Sequence, residues 1–300
     1  MDFTDITISD KGLFDRYFRE YNPQASELTF TNIFMWRRYY GYRYVEADGF
    51  LCIVSVPEEG EPFALVPVGK YRGDAFSNVV FSLDGYFRSK GWGLQFRRVA
   101  GTDLEYFAKC PGLEIDAQPD RDNSDYVYLV EDLAGLPGKK YDGKRNHIRR
   151  FEKTYSYEYL ELKQEHLNEC ERVLDDWYSM RGCRHQRKLC CEKIANLELL
   201  IHYEKLGCSG AIVRVNGRCE AFTIGERLNA DTAVIHVEKA DSRINGLYAF
   251  INRQFCKSSW NGFTFVNREQ DLGIEGLRKA KLSYHPVKMV DKYTVRVKRH

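Results

Sequence analysis

Three strand-like runs follow one another with no helix between them, Ser209–Val215, Arg218–Arg227 and Thr232–Glu238, and they constrain the fold more than any other feature. Asn216-Gly217 joins the first two. Both residue types accept positive φ, as a two-residue hairpin turn demands, so these runs pair antiparallel. A helix pattern over Ile244–Cys256 comes next, then a strand at Gly262–Val266, a helix at Gly273–Leu282 and a last strand at His285–Val297. Upstream, the pattern predicts a basic helix over Lys139–Tyr155, a strand at Tyr157–Leu160 and helices at His166–Met180 and Cys190–Leu206. A meander followed by a strand that returns through a helix makes a mixed sheet, and so an α+β fold.

The first half repeats this order. Ser9 or Asp10 caps a segment with Leu13, Phe14, Tyr17 and Phe18 at helical spacing, and a second buried segment covers Ser26 to Tyr40. Strand-like runs at Tyr42–Ala47, Phe50–Val56 and Pro62–Val68 follow, with Asp48-Gly49 as a hairpin turn. A helix from Asp74 to Lys90, a strand Leu94–Val99, a short helix Asp103–Ala108 and a strand Asp125–Val130 complete it. No sequence identity links the halves; the repeat is one of pattern. At 300 residues the chain exceeds what one core usually organises. The repeated order is that of the acyl-CoA N-acyltransferase (GNAT) architecture. The expectation is a tandem GNAT-like fold of two mixed sheets flanked by helices, with units at 1–137 and 138–300 and the second carrying the active site. Glu131 to Gly138 supplies the Gly and Pro of a junction.

With 43% apolar residues there is ample core material, and no run of 18 apolar residues marks a membrane span. Met1-Asp2-Phe3-Thr4-Asp5 lacks the features of a secretory signal, so a cytoplasmic location is expected. Nine cysteines without framework spacing read as reduced thiols. Cys183, His185, Cys190 and Cys191 match no common zinc spacing, and no metal site is expected. The net charge of +2 hides an asymmetry. Residues 1–137 carry 14 Lys and Arg against 22 Asp and Glu, whereas residues 138–300 carry 31 against 21. The second half is therefore the one that attracts an anionic partner.

Three segments of that half are candidates for chemistry. Gly138 to Lys153 holds seven Lys and Arg; Lys144, Arg145 and Arg149 suit phosphate contact, against the plain alternative of a solvated basic face. The turn after Glu238 contains Arg243 and Gly246, the Arg-x-x-Gly end of a phosphate-binding turn at a helix N-terminus. Asn267-Arg268-Glu269-Gln270-Asp271 follows directly on an apolar strand, where side chains of open sheets converge on clefts. The alternative is a helix cap by Asp271. No Ser-His-Asp set, Walker loop or kinase motif occurs.

Several of these segments carry a family resemblance. They are Ser26 to Asn32 with Met35-Trp36-Arg37, Lys144-Arg145-Asn146-His147, His236 to Asp241, Val266 to Gly273, and Gly276 to Lys281. Together they resemble soluble relatives of the C-terminal domain of bacterial phosphatidylglycerol lysyltransferase, distant kin of the Fem peptidyltransferases. The resemblance implies aminoacyl transfer from an aminoacyl-tRNA ester to an amine or hydroxyl acceptor, a phospholipid-like one included. The lipid-modifying enzymes carry a membrane flippase domain that this chain does not show. Glu238 or Glu269 is then the candidate base, with Asn267 and Lys281 as oxyanion partners. Lys144, Arg145, Arg149, Arg243, Gly246 and Arg268 are candidates for phosphate, tRNA or cofactor, and Lys239, Gln270, Asp271 and Tyr284 for substrate. Aminoacyl-tRNA or acyl-CoA serves as co-substrate, no cofactor is held tightly, tRNA is the partner, and peripheral membrane contact is compatible with the family. Two alternatives stay open: an acyl-CoA-dependent N-acyltransferase, and a non-catalytic RNA- or partner-binding protein.

Overall fold

The computed structural model describes residues 1–72, 74–182 and 187–299. Cys183 and His185 lie outside them. In chain order the strands are β1 (Thr4–Asp5), β2 (Tyr42–Ala47), β3 (Phe50–Ser55), β4 (Phe63–Ala64), β5 (Val68–Gly69), β6 (Gln95–Ala100), β7 (Leu113–Pro119) and β8 (Asp125–Leu129). They continue as β9 (Tyr157–Glu161), β10 (Ser209–Val215), β11 (Arg218–Arg227), β12 (Thr232–Ala240), β13 (Phe265–Asn267), β14 (Lys288–Val290) and β15 (Lys292–Arg299). The helices are α1 (Lys11–Tyr21), α2 (Phe30–Tyr40), α3 (Ala75–Ser89), α4 (Leu104–Ala108), α5 (Val130–Gly135) and α6 (Asp142–Thr154). After them come α7 (Leu167–Met180), α8 (Arg187–Ile201), α9 (Tyr203–Leu206), α10 (Leu247–Ser259) and α11 (Glu275–Leu282).

Two mixed sheets result. The first has the order β1-β2-β3-β4-β6-β15-β7, with β5 also on β3; the second has the order β14-β8-β13-β12-β11-β10-β9. Each contains a parallel pair, β4 with β6 and β12 with β13, reached through α3 and α10 respectively. The expected meander is β10, β11 and β12. In place of one strand over Pro62–Val68 there are two short ones, both paired to β3. β7 has no counterpart in the sequence reading, although Leu113, Ile115 and Ala117 alternate with Glu114, Asp116 and Gln118; its seven residues are half-buried or exposed.

The compact units do not follow a single cut in the chain. One comprises residues 1–125, 270–278 and 289–300, the other 126–269 and 279–288. The strand expected to close the first half, β8, pairs with β13 in the second sheet, Val127 opposite Asn267. The final strand, β15, lies between β6 and β7 in the first. Periodicity names no partner: residues 125–128 are all buried and would suit either sheet. A charge cluster in the first unit fixes β15. Lys292 is fully buried, and its ammonium donates to Glu27 (2.5 Å) and Asp125 (2.6 Å).

In the second unit an apolar stripe, Cys170, Val173, Leu174 and Trp177, turns α7 inward. α6 buries Ile148 and Phe151 against Leu247 and Phe250 of α10 and leaves its basic face outside. Gly246 makes that packing possible. Its φ is +90°, and a β-carbon there would lie 2.3 Å from the carbonyl oxygen of His147.

Candidate active site

β12 and β13 are in register only over Thr232–Val234 and Phe265–Asn267. β12 then continues to Ala240 beside β11, whereas the chain after Asn267 stays with β8 through the Arg268 N–H to Tyr126 and the Tyr126 N–H to Glu269. The sheet splays open between them. His236 is the extra residue of a bulge in β12, since Val237 faces Ile224 and Ile235 faces Gly225.

Side chains bridge the gap where backbone bonds have stopped. Arg268 Nη2 donates to Glu238 (2.9 Å), which also accepts from Asn252 Nδ2 (3.0 Å). The guanidinium lies 4.8 Å from the Tyr284 ring centre and 5.7 Å from that of Tyr128. Lys144 covers Tyr284 as well, at 3.8 Å. Burial and then the nearby Arg268 charge lower the Lys144 pKa to about 8, with Glu238 opposing. Burial lifts the Tyr284 phenol to about 12. Arg268 Nη1 is buried and has no hydrogen-bond partner among the described residues.

A second bridge joins His236 to Glu269 (2.8 Å) and Glu226 (2.9 Å). Burial favours loss of the ring proton, but hydrogen bonds to both carboxylates and their charges outweigh it and raise the pKa to about 9. The unfolded value is about 6.5. The stabilisation is therefore full below about pH 6.5, declines as pH rises, and is gone once pH passes the folded value near 9. His236→Gln is expected to cost on the order of 2–3 kcal/mol near pH 6 and little above about pH 9.5. Urea midpoints across this range check it; a cost that does not change with pH would refute the bridge.

Lys144, Glu238, Arg268 and Tyr284 thus come together, and Lys281 adjoins them through its ammonium, which donates to the Arg268 carbonyl. The other candidates go elsewhere. Asn267 is fully buried, and its Oδ1 accepts the Glu269 N–H (2.7 Å), holding a turn in which Glu269 has φ +57°. Arg145 donates to the carbonyls of Leu136 and Gly138 and to Asp142, so it ties down the junction; Arg149 is exposed. Lys239 is buried 3.6 Å from the Trp177 ring centre and bonded to Glu192, and burial lowers its pKa. Arg243 is held by Asp241, and Gly246 is occupied in helix packing.

In the first unit Asp271 is buried in a forked pair with Arg278 (2.8 and 2.9 Å) and accepts the Gly273 N–H, which makes it a turn anchor. Gln270 keeps a buried Oε1 with no hydrogen-bond partner among the described residues. Asn252, Tyr128 and Glu226 escaped the sequence reading. Only Asn252 left a signal, an amide at helical spacing from Ala249, Phe255 and Cys256 on the buried face of α10.

Two mixed, splayed sheets with a helix-linked parallel pair in each define a tandem GNAT-like protein. Solved structures of that class include a tandem GNAT protein from the clavulanic acid biosynthesis pathway, 8% identical over 99% of this chain and 98% of that one, TM-score 0.53. FemX is 10% identical over 98% and 97%, TM-score 0.62. The chain belongs to the family described as phosphatidylglycerol lysyltransferase, C-terminal, whose model matches residues 18–296. A conserved protein of unknown function from Bacteroides thetaiotaomicron is 35% identical over 99% of this chain and 100% of its own, TM-score 0.92. An uncharacterized protein of Mycoplasmoides gallisepticum is 22% identical over 66% of this chain, a match that spans 63% of that relative's length. No helix among the described residues is long and apolar enough to cross a membrane.

Proposed function

We propose that the second unit transfers an aminoacyl group from an aminoacyl-tRNA ester to an amine or hydroxyl acceptor, in the opening between β12 and β13. The family's description names a lysyltransferase, which supports transferase chemistry. The observation that carries the reading is Arg268 Nη1, a buried donor without a hydrogen-bond partner among the described residues, beside Lys144, whose pKa is lowered to about 8.

Transfer to an activated ester needs three things: a base for the nucleophile, donors for the oxyanion and a proton for the leaving oxygen. Neutral Lys144 takes the proton of the attacking amine or hydroxyl as its heteroatom bonds the ester carbon. Arg268 Nη1 donates to the carbonyl oxygen as charge builds there. The C–O bond to the ribose then breaks, and the Lys144 ammonium returns its proton to the leaving oxygen. Glu238 and Asn252 position the guanidinium; Glu269 braces the bulge through His236. Exposed Arg149 offers phosphate contact, and a cytoplasmic location accords with the donor. Acyl-CoA is disfavoured as donor. Asp241 places a carboxylate in the turn before α10, and the His147 carbonyl abuts Gly246.

The test is a transfer assay with labelled aminoacyl-tRNA and, separately, labelled acetyl-CoA, with small amines and phosphatidylglycerol vesicles as acceptors. Transfer from the tRNA ester alone is expected. Its rate should rise with pH and level off above about 8, the pKa of Lys144. Lys144→Met should lower it about 10²-fold or more and abolish that limb. Transfer from acetyl-CoA only, or an intact limb in the variant, would reject the assignment.

A further inference from the structure

The first unit has an opening of its own, chemically unlike the sequence around it. β4 and β6 pair in parallel at Ala64 and Phe96, after which β6 carries Arg97 and Arg98. Arg98 has φ +59°, and the register of β6 against β15 slips between Tyr293 and Val295. Successive side chains of a regular strand point to opposite faces; a bulge breaks that alternation. Both guanidiniums accordingly line one cavity of about 320 Å³, and Arg296 of β15 joins them. Arg97 and Arg98 meet Arg296 here although residues 1–137, which supply the first two, carry an excess of eight acidic groups.

The donors are differently committed. Arg98 is held by Tyr42 (3.0 Å), Tyr40 (2.5 Å) and Glu27 (3.5 Å), and acts as a fixed positive charge. Arg97 lies 5.0 Å from the Phe63 ring centre; its Nε donates to Gln95 (3.4 Å), and its Nη2 pairs at 3.3 Å with Glu61, a carboxylate 71% exposed that also accepts from Gln95. Arg296 is exposed, and its guanidinium makes no hydrogen bond or ion pair among the described residues. The lining carboxylate, Asp120, is engaged at both oxygens by Asn123 Nδ2 (2.9 Å each). Tyr40 and Phe63 provide an aromatic wall.

We infer that this cavity binds a small phosphorylated molecule. One open guanidinium fork, a second held on its outer side by an exposed carboxylate, and a third fixed charge offer more donors than the two oxygens of a carboxylate accept, whereas a phosphate presents three terminal oxygens. The aromatic wall suits an apolar or ring-bearing body. Nothing in the inference depends on the transfer reaction assigned to the second unit.

The experiment is a titration of the full chain with inorganic phosphate, followed by the ³¹P line width at constant ionic strength, with acetate as a carboxylate arm. Saturable broadening that acetate competes for weakly is expected. The double variant Arg97→Ala, Arg296→Ala should weaken binding at least about tenfold, as loss of two charge-assisted contacts implies. Lys144→Met, in the other unit, should leave it unchanged. No saturable binding, undiminished binding in the double variant, or loss in Lys144→Met would each overturn the inference. If thermal unfolding shows the double variant misfolded, Arg296→Gln alone decides, because that side chain is exposed and supports no packing.

Discussion

Lys292→Met is expected to destabilise the protein by about 3–5 kcal/mol, the usual cost of removing one partner from a buried ion cluster. Methionine matches the stem of lysine, so the loss is electrostatic rather than steric. Glu27 and Asp125 remain, both buried, with like charges and no ammonium between them. Burial already raises the Glu27 pKa in the intact cluster, against the pull of Lys292. Without the lysine that pKa rises further. A carboxylate whose folded pKa exceeds its unfolded value loses stability as pH climbs from the unfolded value to the folded one. The variant should therefore be least impaired near about pH 5 and most impaired near about pH 8, as urea unfolding at both would show. Equal losses at the two would mean that packing, not charge, holds β15 in its sheet.

Arg268→Gln is expected to slow the proposed aminoacyl transfer by about 10²–10³-fold, the range seen when one oxyanion donor is removed. The loss should fall on kcat, because the oxyanion exists only on the way to and from the transition state. Arg268→Lys is the control. It keeps a charge for Glu238 but lacks the second, buried N–H, so it should fold nearly as well and remain slow. A lysine variant with full activity would show that charge alone matters at this position and would remove Nη1 from the mechanism. If instead both variants unfold, Glu238→Gln tests positioning more gently, since the carboxamide oxygen can still accept from Arg268 while its NH2 donates to Asn252 once that amide turns its Oδ1 inward.

The candidate site was only partly legible before folding. Glu238 and Arg268 stand in polar segments that end or follow apolar strands, and such residues are visible because a strand end is a local event. The same local signal also picked out Asn267 and Asp271, and the basic run from Gly138 to Lys153 picked out Arg145. Each of these polar side chains is occupied by a turn or a neighbour: the Glu269 N–H, Arg278, and the carbonyls of Leu136 and Gly138. Sequence spacing does not distinguish a side chain that holds a turn from one that faces a cleft, because both require the same residue types at the same places.

The amino-acid sequence encodes the local order: the Asn216-Gly217 hairpin, the meander of β10 to β12, the helix-linked parallel strands and the basic outer face of α6. Those follow from turn chemistry and from periods of 2.0 and 3.6 residues. Tertiary structure alone decided which sheet received β8 and β15, which cations were spent on structure, and that Lys144 from α6 would share the Tyr284 ring with Arg268. The strand placements and the meeting of Lys144 with Tyr284 rest on contacts between residues more than a hundred positions apart. Such contacts are selected by burial and charge pairing in three dimensions, and no local period encodes them.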